Sequence, residues 1–446
     1  MKPAYLIILV GIGLILASLG NGAAGYLKRI GLLDRPIYDD YLATYCQVPH
    51  DGFVSSERCM CMREPLDEAA AVGERPEPKY IYQNFGHLRW LKLGKDALFG
   101  GFLLLSLFLI GTRRARMTSP ADSWPPWLLI VSVAIGFVTS LALWGGSFAL
   151  IGLRSFEFLA VVLLGGWAVG GMPYFARCVG WLLILQVLLV AVELLLGIPL
   201  STCPHWFRAA GTMVLPNSLG AIAVVALAFY ASFTPINARF FILLLATMLL
   251  FIASGSGTGL VALFALLAIL TLRRMTGTRK RVAVMASALL GVLMVLQLPA
   301  ITHRPDIYDS LFAKGGRVDT FNKVLRVSSA TDMLIGHGLG YGTNTASNLA
   351  AISTTPVPAV LGANERYFPD STITGLLTQL GIMGIAAFYW LLGWAFWRDS
   401  VARPAYLVIA LVSLTMNVTE LFPVNFLFGL LLAHTITVVS ATRSRT

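Results

Sequence analysis

Long apolar blocks alternate with short polar ones along most of this chain. Stretches made mainly of Leu, Val, Ala, Ile and Phe run over about 4–21, 96–112, 127–144, 154–171, 178–200, 213–233, 239–254, 258–272, 282–300, 371–396, 404–420 and 424–441. Most come close to the roughly 20 helical residues that cross a bilayer core of about 30 Å. The pattern predicts an all-α polytopic membrane protein with about twelve transmembrane helices. SGSGTG at 254–259 divides one overlong apolar stretch into an out-and-back pair. Pro423 does the same between the last two blocks, because proline cannot continue a helix ladder.

Two gaps in the pattern are too long to be plain connections. Residues 22–95 are polar, rich in proline and charge, and end in KYIYQNFGHLRWLKLGKD. That aromatic and basic mix suits a stretch lying at the headgroup level. Residues 301–370 hold AKGGRVDTFNKVLRV, then GHGLGYG, then a Ser/Thr/Pro/Ala stretch up to NERYFPDS. Loops beyond about 15 residues are usually functional or disordered. The expected organisation is helices one to nine over 1–300, a long loop over 301–370 between the ninth and tenth, and helices ten to twelve over 371–446. Within the second loop Phe321, Val324 and Leu325 share one face of a short amphipathic helix. GHGLGYG reads as a flexible turn that lets backbone come close to something. No strand precedes it, so it is not a nucleotide loop of the usual kind.

Composition strengthens the membrane reading. The chain of 446 residues is 57% hydrophobic and 12% charged, where soluble proteins carry about 25% charge. The net charge of +11 does not call for a nucleic acid. With both termini in the cytoplasm, the cytoplasmic segments hold fifteen Lys and Arg against only Asp122 and Asp399. That is the bias that orients membrane proteins, and it accounts for the whole surplus. It places both long loops outside, which in a bacterial inner membrane is the periplasm. The first block also has the lysine, apolar run and small residues of a signal peptide. A retained span is the preferred reading.

Cys46, Cys59, Cys61 and Cys203 fall on the outer side, where thiols oxidise. Cys46 can pair with Cys59 or Cys61. His50 with Cys46, Cys59 and Cys61 has the right ligand types for zinc, but the spacing matches no common zinc pattern. Free thiols are the third reading. No metal and no cofactor is expected.

The orientation rule leaves the outer arginines unexplained. Arg154 opens the fourth block, Arg208 precedes the sixth, Arg317 and Arg326 flank the amphipathic stretch, and Arg366 comes just before the tenth. Taken singly, each reads as interfacial snorkelling. Five together compete with that reading as a site for an anion, since guanidinium binds phosphate in a fork and stays charged. Asn217, behind Pro216, and His337 are candidate polar contacts, and Gly211 permits close backbone approach. The candidate acids are Asp370, Asp319, Glu157, Glu193 and Glu420. Asp370 reads equally as a helix N-cap or a proton acceptor. Glu193, deep in the fifth block, is expected to face the bundle interior. His205 and His303 are further outer histidines.

The order of four segments carries a resemblance. R-x-x-G-T-x-x-x-P-N at 208–217, SGSGTGLVALFALLAIL followed by RRMTGTRKR, GGRVDTF with GHGLGYG, and DSTITGLLTQLGIMGI occur in that order. Over roughly 150–396 the chain resembles the O-antigen ligase and polymerase superfamily. That resemblance implies glycan transfer at the periplasmic face from an undecaprenyl pyrophosphate donor. By position Arg208 and Arg317 match family arginines that hold the pyrophosphate, and Arg154 resembles an earlier one. Ligases place a histidine where this chain has Asp370-Ser371, whereas many polymerases carry aspartate. SGSGTG stands where the family often has an arginine between its serines.

The function expected is an inner-membrane polymerase of O-antigen or exopolysaccharide, moving a growing glycan onto a lipid-linked repeat unit. Asp370, Arg317 and Arg208 would be catalytic; Arg154, Arg326, Arg366, Asn217 and His337 would bind substrate. Its partners would be the lipid-linked donor and acceptor, membrane lipid, a chain-length regulator and a flippase. Transfer to lipid A-core is the first alternative. A lipid-linked oligosaccharide transporter is the alternative of another class.

Overall fold

All regular structure among the described residues of the computed structural model is helical. Those residues are 3–29, 93–112, 124–196, 209, 211–213, 216–273, 275–302, 307–312, 317–343 and 371–443. The N-terminal part contains α1 (Pro3–Arg29), α2 (Gly94–Gly111), α3 (Trp124–Trp144), α4 (Gly146–Leu153), α5 (Phe158–Leu164) and α6 (Met172–Leu196). The middle contains α7 (Pro216–Phe233), α8 (Ala238–Ser254), α9 (Gly257–Leu272), α10 (Gly277–Leu296) and α11 (Leu298–Thr302). Then come the short α12 (Asp309–Phe312), α13 (Arg317–Val327) and α14 (Ala330–Ile335), and finally α15 (Thr372–Arg398), α16 (Arg403–Ser413) and α17 (Val424–Arg443).

Among the described residues, five helical stretches are long and apolar enough to cross a membrane: Gly94–Gly111, Trp124–Trp144, Phe158–Leu195, Thr372–Arg398 and Val424–Thr442. Shorter apolar helices accompany them. Leu195 is 84% exposed and Ile252 81% exposed, while Gln186, Thr247 and Ser254 are fully buried. Apolar surface outside and polar groups inside is the distribution expected of a bundle dissolved in lipid. These features fit a multi-pass membrane protein.

The centre of the bundle is α7. From Leu219 to Phe229 its side chains are buried on every face, and small alanines alternate with larger residues. A helix apolar all round is a core helix, and α6, α8, α9 and α16 surround it. The N-terminus of α7, where Pro216 takes the first helical position, therefore opens near the middle of one end of the bundle.

Several expected spans are not continuous helices. The block at 154–171 consists of a 3₁₀ turn over Arg154–Phe156, α5, and a 3₁₀ run over Gly165–Gly171. The paired glycines of GGWAVGG weaken the α-helix there. The block at 404–420 ends as a helix at Ser413; by rise alone α16 is only about 16 Å long. Residues 414–423 form turns instead, closing at the cis Phe422–Pro423 bond. The block at 371–396 is one helical run broken at Gly381 (φ 64°, ψ −162°). The block at 282–300 divides into α10 and α11, and α1 continues past residue 21 to Arg29. SGSGTG behaves as expected. Gly255 caps α8 in the left-handed region (φ 57°), and Ser256 caps α9 by accepting from the Gly259 amide.

At one end, Asp399 ties α15, α16 and α17 together. Its carboxylate accepts from the amides of Val401 and Ala402 and from Thr435 Oγ1, and lies 2.8 Å from His434 Nδ1. Burial pushes this carboxyl up. Hydrogen bonds, that of His434 first, outweigh burial and hold it below its ordinary value. A lowered carboxyl adds stability above its unfolded pKa of about 3.9, and loses it as pH falls through the folded value. Asp399→Asn should therefore cost about 2 kcal/mol at neutral pH. The gap between variant and wild type should close below about pH 4, as read by thermal unfolding in detergent.

Candidate functional site

At the opposite end, the turns of 414–423 form a hub on which several helices begin. Thr372, the first residue of α15, donates its amide (3.2 Å) and its hydroxyl (2.8 Å) to the carbonyl of Met416. The Val418 amide donates back to Thr372 Oγ1 at 3.0 Å. Thr258, in the first turn of α9, meets Thr415 hydroxyl to hydroxyl at 2.7 Å. Asn425 at the start of α17 donates to the Thr419 carbonyl at 3.2 Å. An added Cβ on Gly220 of α7 would lie 2.3 Å from Ser256 Cβ, so the starts of α7 and α9 are also side by side. Each helix start brings the positive end of its dipole to the hub, while caps and turn carbonyls take first-turn amides of α9, α15 and α17.

Arg317 joins them. It opens α13, is half-buried, and donates Nε to the Thr415 carbonyl at 2.9 Å. The expected apolar face of α13 exists: Val324 is buried with Tyr341 and Leu377, and Phe321 and Leu325 pack against them. Arg326 follows nine residues later, which at about 100° per residue is the opposite face of the helix. It is exposed. The two flanking arginines are thus separated, and only Arg317 is directed to the hub.

A second cluster adjoins the hub. Arg154 donates Nε to Asp96 Oδ1 at 2.7 Å and forms a second contact from Nη2 to Oδ2. Its Nε lies 3.9 Å from Glu157 Oε1. The charge of Arg154 is thus answered by Asp96, a residue the sequence reading left unused. Glu157 Oε2 is buried without a hydrogen-bond partner. Lys95 acts electrostatically on the Glu157 carboxylate. Glu420, which accepts from Asn417 Nδ2 at 3.2 Å, also acts electrostatically on Lys95 and so links the hub to this cluster.

Chain from the 208–217 motif enters the bundle between helices. The Ala209 amide donates to the Ala253 carbonyl at 2.9 Å. Gly211 has φ 55°, and a Cβ there would lie 2.3 Å from Gln186 Oε1, which instead accepts the Thr212 amide at 2.9 Å. The close approach expected of Gly211 is therefore real, and buried Gln186 is its other side. Asn217 is half-buried in the first turn of α7. Glu193 is buried inside the bundle, as its depth implied.

GHGLGYG makes the close backbone approach expected of it. Residues 336–343 form a strap wedged between α3 and α15, buried except for His337. The break at Gly381 frees carbonyls that the strap uses: His337 N donates to Thr378 O at 2.8 Å and Gly338 N to Gln379 O at 3.2 Å. On the other side the Leu339 amide donates to the Gly136 carbonyl, and Ser140 Oγ to the Leu339 carbonyl. The His337 ring stacks on Tyr341 at 4.4 Å, and Tyr341 stacks on Trp144. Burial lowers the imidazole below its ordinary pKa, against the pull of Asp332 3.7 Å away. His337 is thus a packed ring of the strap.

Asp370, Arg208, Arg366, His205, His303 and Cys46, Cys59, Cys61 and Cys203 lie outside the described residues. Their neighbours still narrow the reading. Ser371 caps α15 by accepting from the Thr374 amide at 3.2 Å, so the capping role considered for Asp370 belongs to Ser371. The hub itself was missed, apart from Glu420. A polar NVTE followed by Pro423 at the end of an apolar block was the available signal.

Several membrane-length helices with polar groups buried between them define the class as a multi-pass membrane protein. No family model matches the chain, and no curated protein is detectably similar to it.

Proposed function

We propose that the protein is a bacterial inner-membrane polysaccharide polymerase with its site at the periplasmic face. It would transfer a growing glycan from undecaprenyl pyrophosphate to a lipid-linked repeat unit. The observation that carries this reading is the hub, where the starts of α7, α9, α15 and α17 gather beside Arg317. Helix starts and a guanidinium favour an anion of the size and charge of pyrophosphate. In the transfer, the bond from the sugar to the bridging phosphate oxygen breaks and negative charge grows on that oxygen. Preorganised donors at the hub would stabilise it. The acceptor hydroxyl forms the new bond and gives its proton to a base. Asp370 is the candidate, two residues before the hub-bound Thr372. Twelve spans, with the 301–370 loop outside, complete the proposal.

The test is to incubate purified protein with lipid-linked repeat units and resolve the products by size. A ladder of lengths supports polymerisation. Transfer to lipid A-core without a ladder would make the protein a ligase, and no transfer to either acceptor would remove it from the class.

A further inference from the structure

Among the described residues, three buried side-chain polar atoms lack a hydrogen-bond partner, and two of them are Ser155 Oγ and Glu157 Oε2. Buried polar atoms are nearly always bonded, so two orphans this close in the chain need a reason. They lie between α4 and α5, in the same cluster as Lys95 of the first turn of α2. Lys95 is half-buried and feels the charges of Arg154, Glu157, Asp96 and Glu420. Among the described residues it makes no ion pair and no side-chain hydrogen bond. Asp96 is engaged by Arg154, and Glu157 Oε1 lies 3.9 Å from Arg154 Nε. An acceptor oxygen and an ammonium, each without a bonded partner, thus share one cluster.

This cluster is packed against the hub. Phe99, one turn after Lys95, meets Phe426 edge-on at 5.2 Å between ring centroids, and Phe426 follows the hub residue Asn425. An added Cβ on Gly429 would lie 2.8 Å from the Phe158 carbonyl oxygen, so α17 also backs the residue after Glu157. Charge and geometry choose the occupant. Lys95 and Arg154 stand against the three carboxylates of Asp96, Glu157 and Glu420, which disfavours a further anion and leaves phosphate to the hub. Among the described residues no three His, Cys, Asp or Glu side chains come together as metal ligands. A carboxylate only accepts and an ammonium only donates. A neutral group that does both, a hydroxyl, satisfies the two.

We infer that Glu157 and Lys95 hold hydroxyls of the acceptor sugar. Glu157 Oε2 accepts from one hydroxyl, and Lys95 Nζ donates to the same oxygen or its neighbour on the ring. Arg154, held by Asp96, stands beside Glu157 Oε1. The pair seats the non-reducing end of the lipid-linked repeat unit next to the hub, where the new bond forms. Both residues position the sugar and leave its proton to Asp370. The inference rests on the polymerase reading for the identity of the sugar. A site built to hydrogen-bond a hydroxyl also discriminates strongly against a sugar that lacks it.

The probe is the repeat-unit glycan freed from its lipid by mild acid and labelled at its reducing end, which carries hydroxyls but no phosphate. Full-length protein in a neutral detergent is dialysed to equilibrium against it, with size-exclusion profiles to establish folding. Wild type should retain the glycan. Glu157→Gln and Lys95→Met should each weaken retention by about 10- to 100-fold, the scale of one hydrogen bond to a charged group. Lys280→Ser, which removes an exposed lysine beyond the far end of α9, should change nothing. Wild type that does not hold the glycan overturns the proposal without any variant, and folded variants that hold it equally well do the same. Displacement of the glycan by inorganic pyrophosphate would also overturn it, by showing an anion site. The two readings fail separately. A product ladder from wild type, with variants that bind glycan normally, keeps the polymerase and removes this subsite. Variant-sensitive glycan binding without any transfer by wild type removes the polymerase and keeps a sugar site.

Discussion

Arg317→Ala should lower glycan transfer by about 100- to 1,000-fold, the usual cost of removing one preorganised donor to a developing oxyanion. The protein should remain folded. Within the structure, Arg317 Nε donates to the Thr415 carbonyl, at the edge of the hub, among its contacts. Its loss costs about 1.5 kcal/mol at most positions of this kind. Arg317→Lys should recover only part of the activity, since an ammonium keeps the charge but not the planar fork. Arg326→Ala is the matched control, because that side chain is exposed on the far face of α13. It should transfer glycan like wild type. Initial rates on a lipid-linked donor, with size-exclusion profiles to establish folding, separate these outcomes. Full activity in Arg317→Ala would remove the hub from the mechanism.

The second large effect is on stability, and it comes from the strap. Gly338 has φ 98°, and an added Cβ would lie 2.7 Å from the Ser140 amide nitrogen and 2.9 Å from its Cα. Left-handed backbone and overpacking against a main chain each cost about 1–3 kcal/mol for an alanine. Gly338→Ala should therefore lose about 3 kcal/mol or more and purify in low yield. Gly393→Ala is the control within α15, since a Cβ there meets nothing within 4 Å. It should be neutral or stabilise by about 0.5–1 kcal/mol. A fluorescent fusion, followed by size exclusion after graded heating, would compare the two. A Gly338→Ala protein as heat-resistant as wild type would show that the strap is not packed as described.

What the sequence disclosed depended on the physics behind each signal. Hydropathy reports whether a segment sits in an apolar setting, and it found the apolar helices. It does not report continuity, so α16 was overextended and the 3₁₀ run at Gly165–Gly171 was taken as part of a plain span. Glycine is ambiguous in the same way. SGSGTG broke the helix as read, and Gly211 made the close approach expected of it. The glycines of GHGLGYG were read as a turn that lets backbone come close to something, and the neighbours they approach, α3 and α15, were not legible. Charge was legible only as location. Arg154 stood out because no topology rule explained it. Its partner Asp96 is 58 residues earlier in the chain, and no spacing rule connects them. Arg317 stood out on the same ground as Arg154 and by its place in the resemblance, while the pattern of Phe321, Val324 and Leu325 gave the packed face of α13.

The strap also sets an order of assembly. Ser140 and Leu339 are 199 residues apart, and Trp144 and His337 are 193 apart. At about 5–20 residues per second, α3 waits on the order of ten seconds or more in the bilayer before the strap is synthesised. Until then the face of α3 that carries Ser132, Gly136 and Ser140 has neither strap nor α15 against it. A chain halted before residue 336 therefore presents small and hydroxylated residues to lipid, where the finished protein presents none of them.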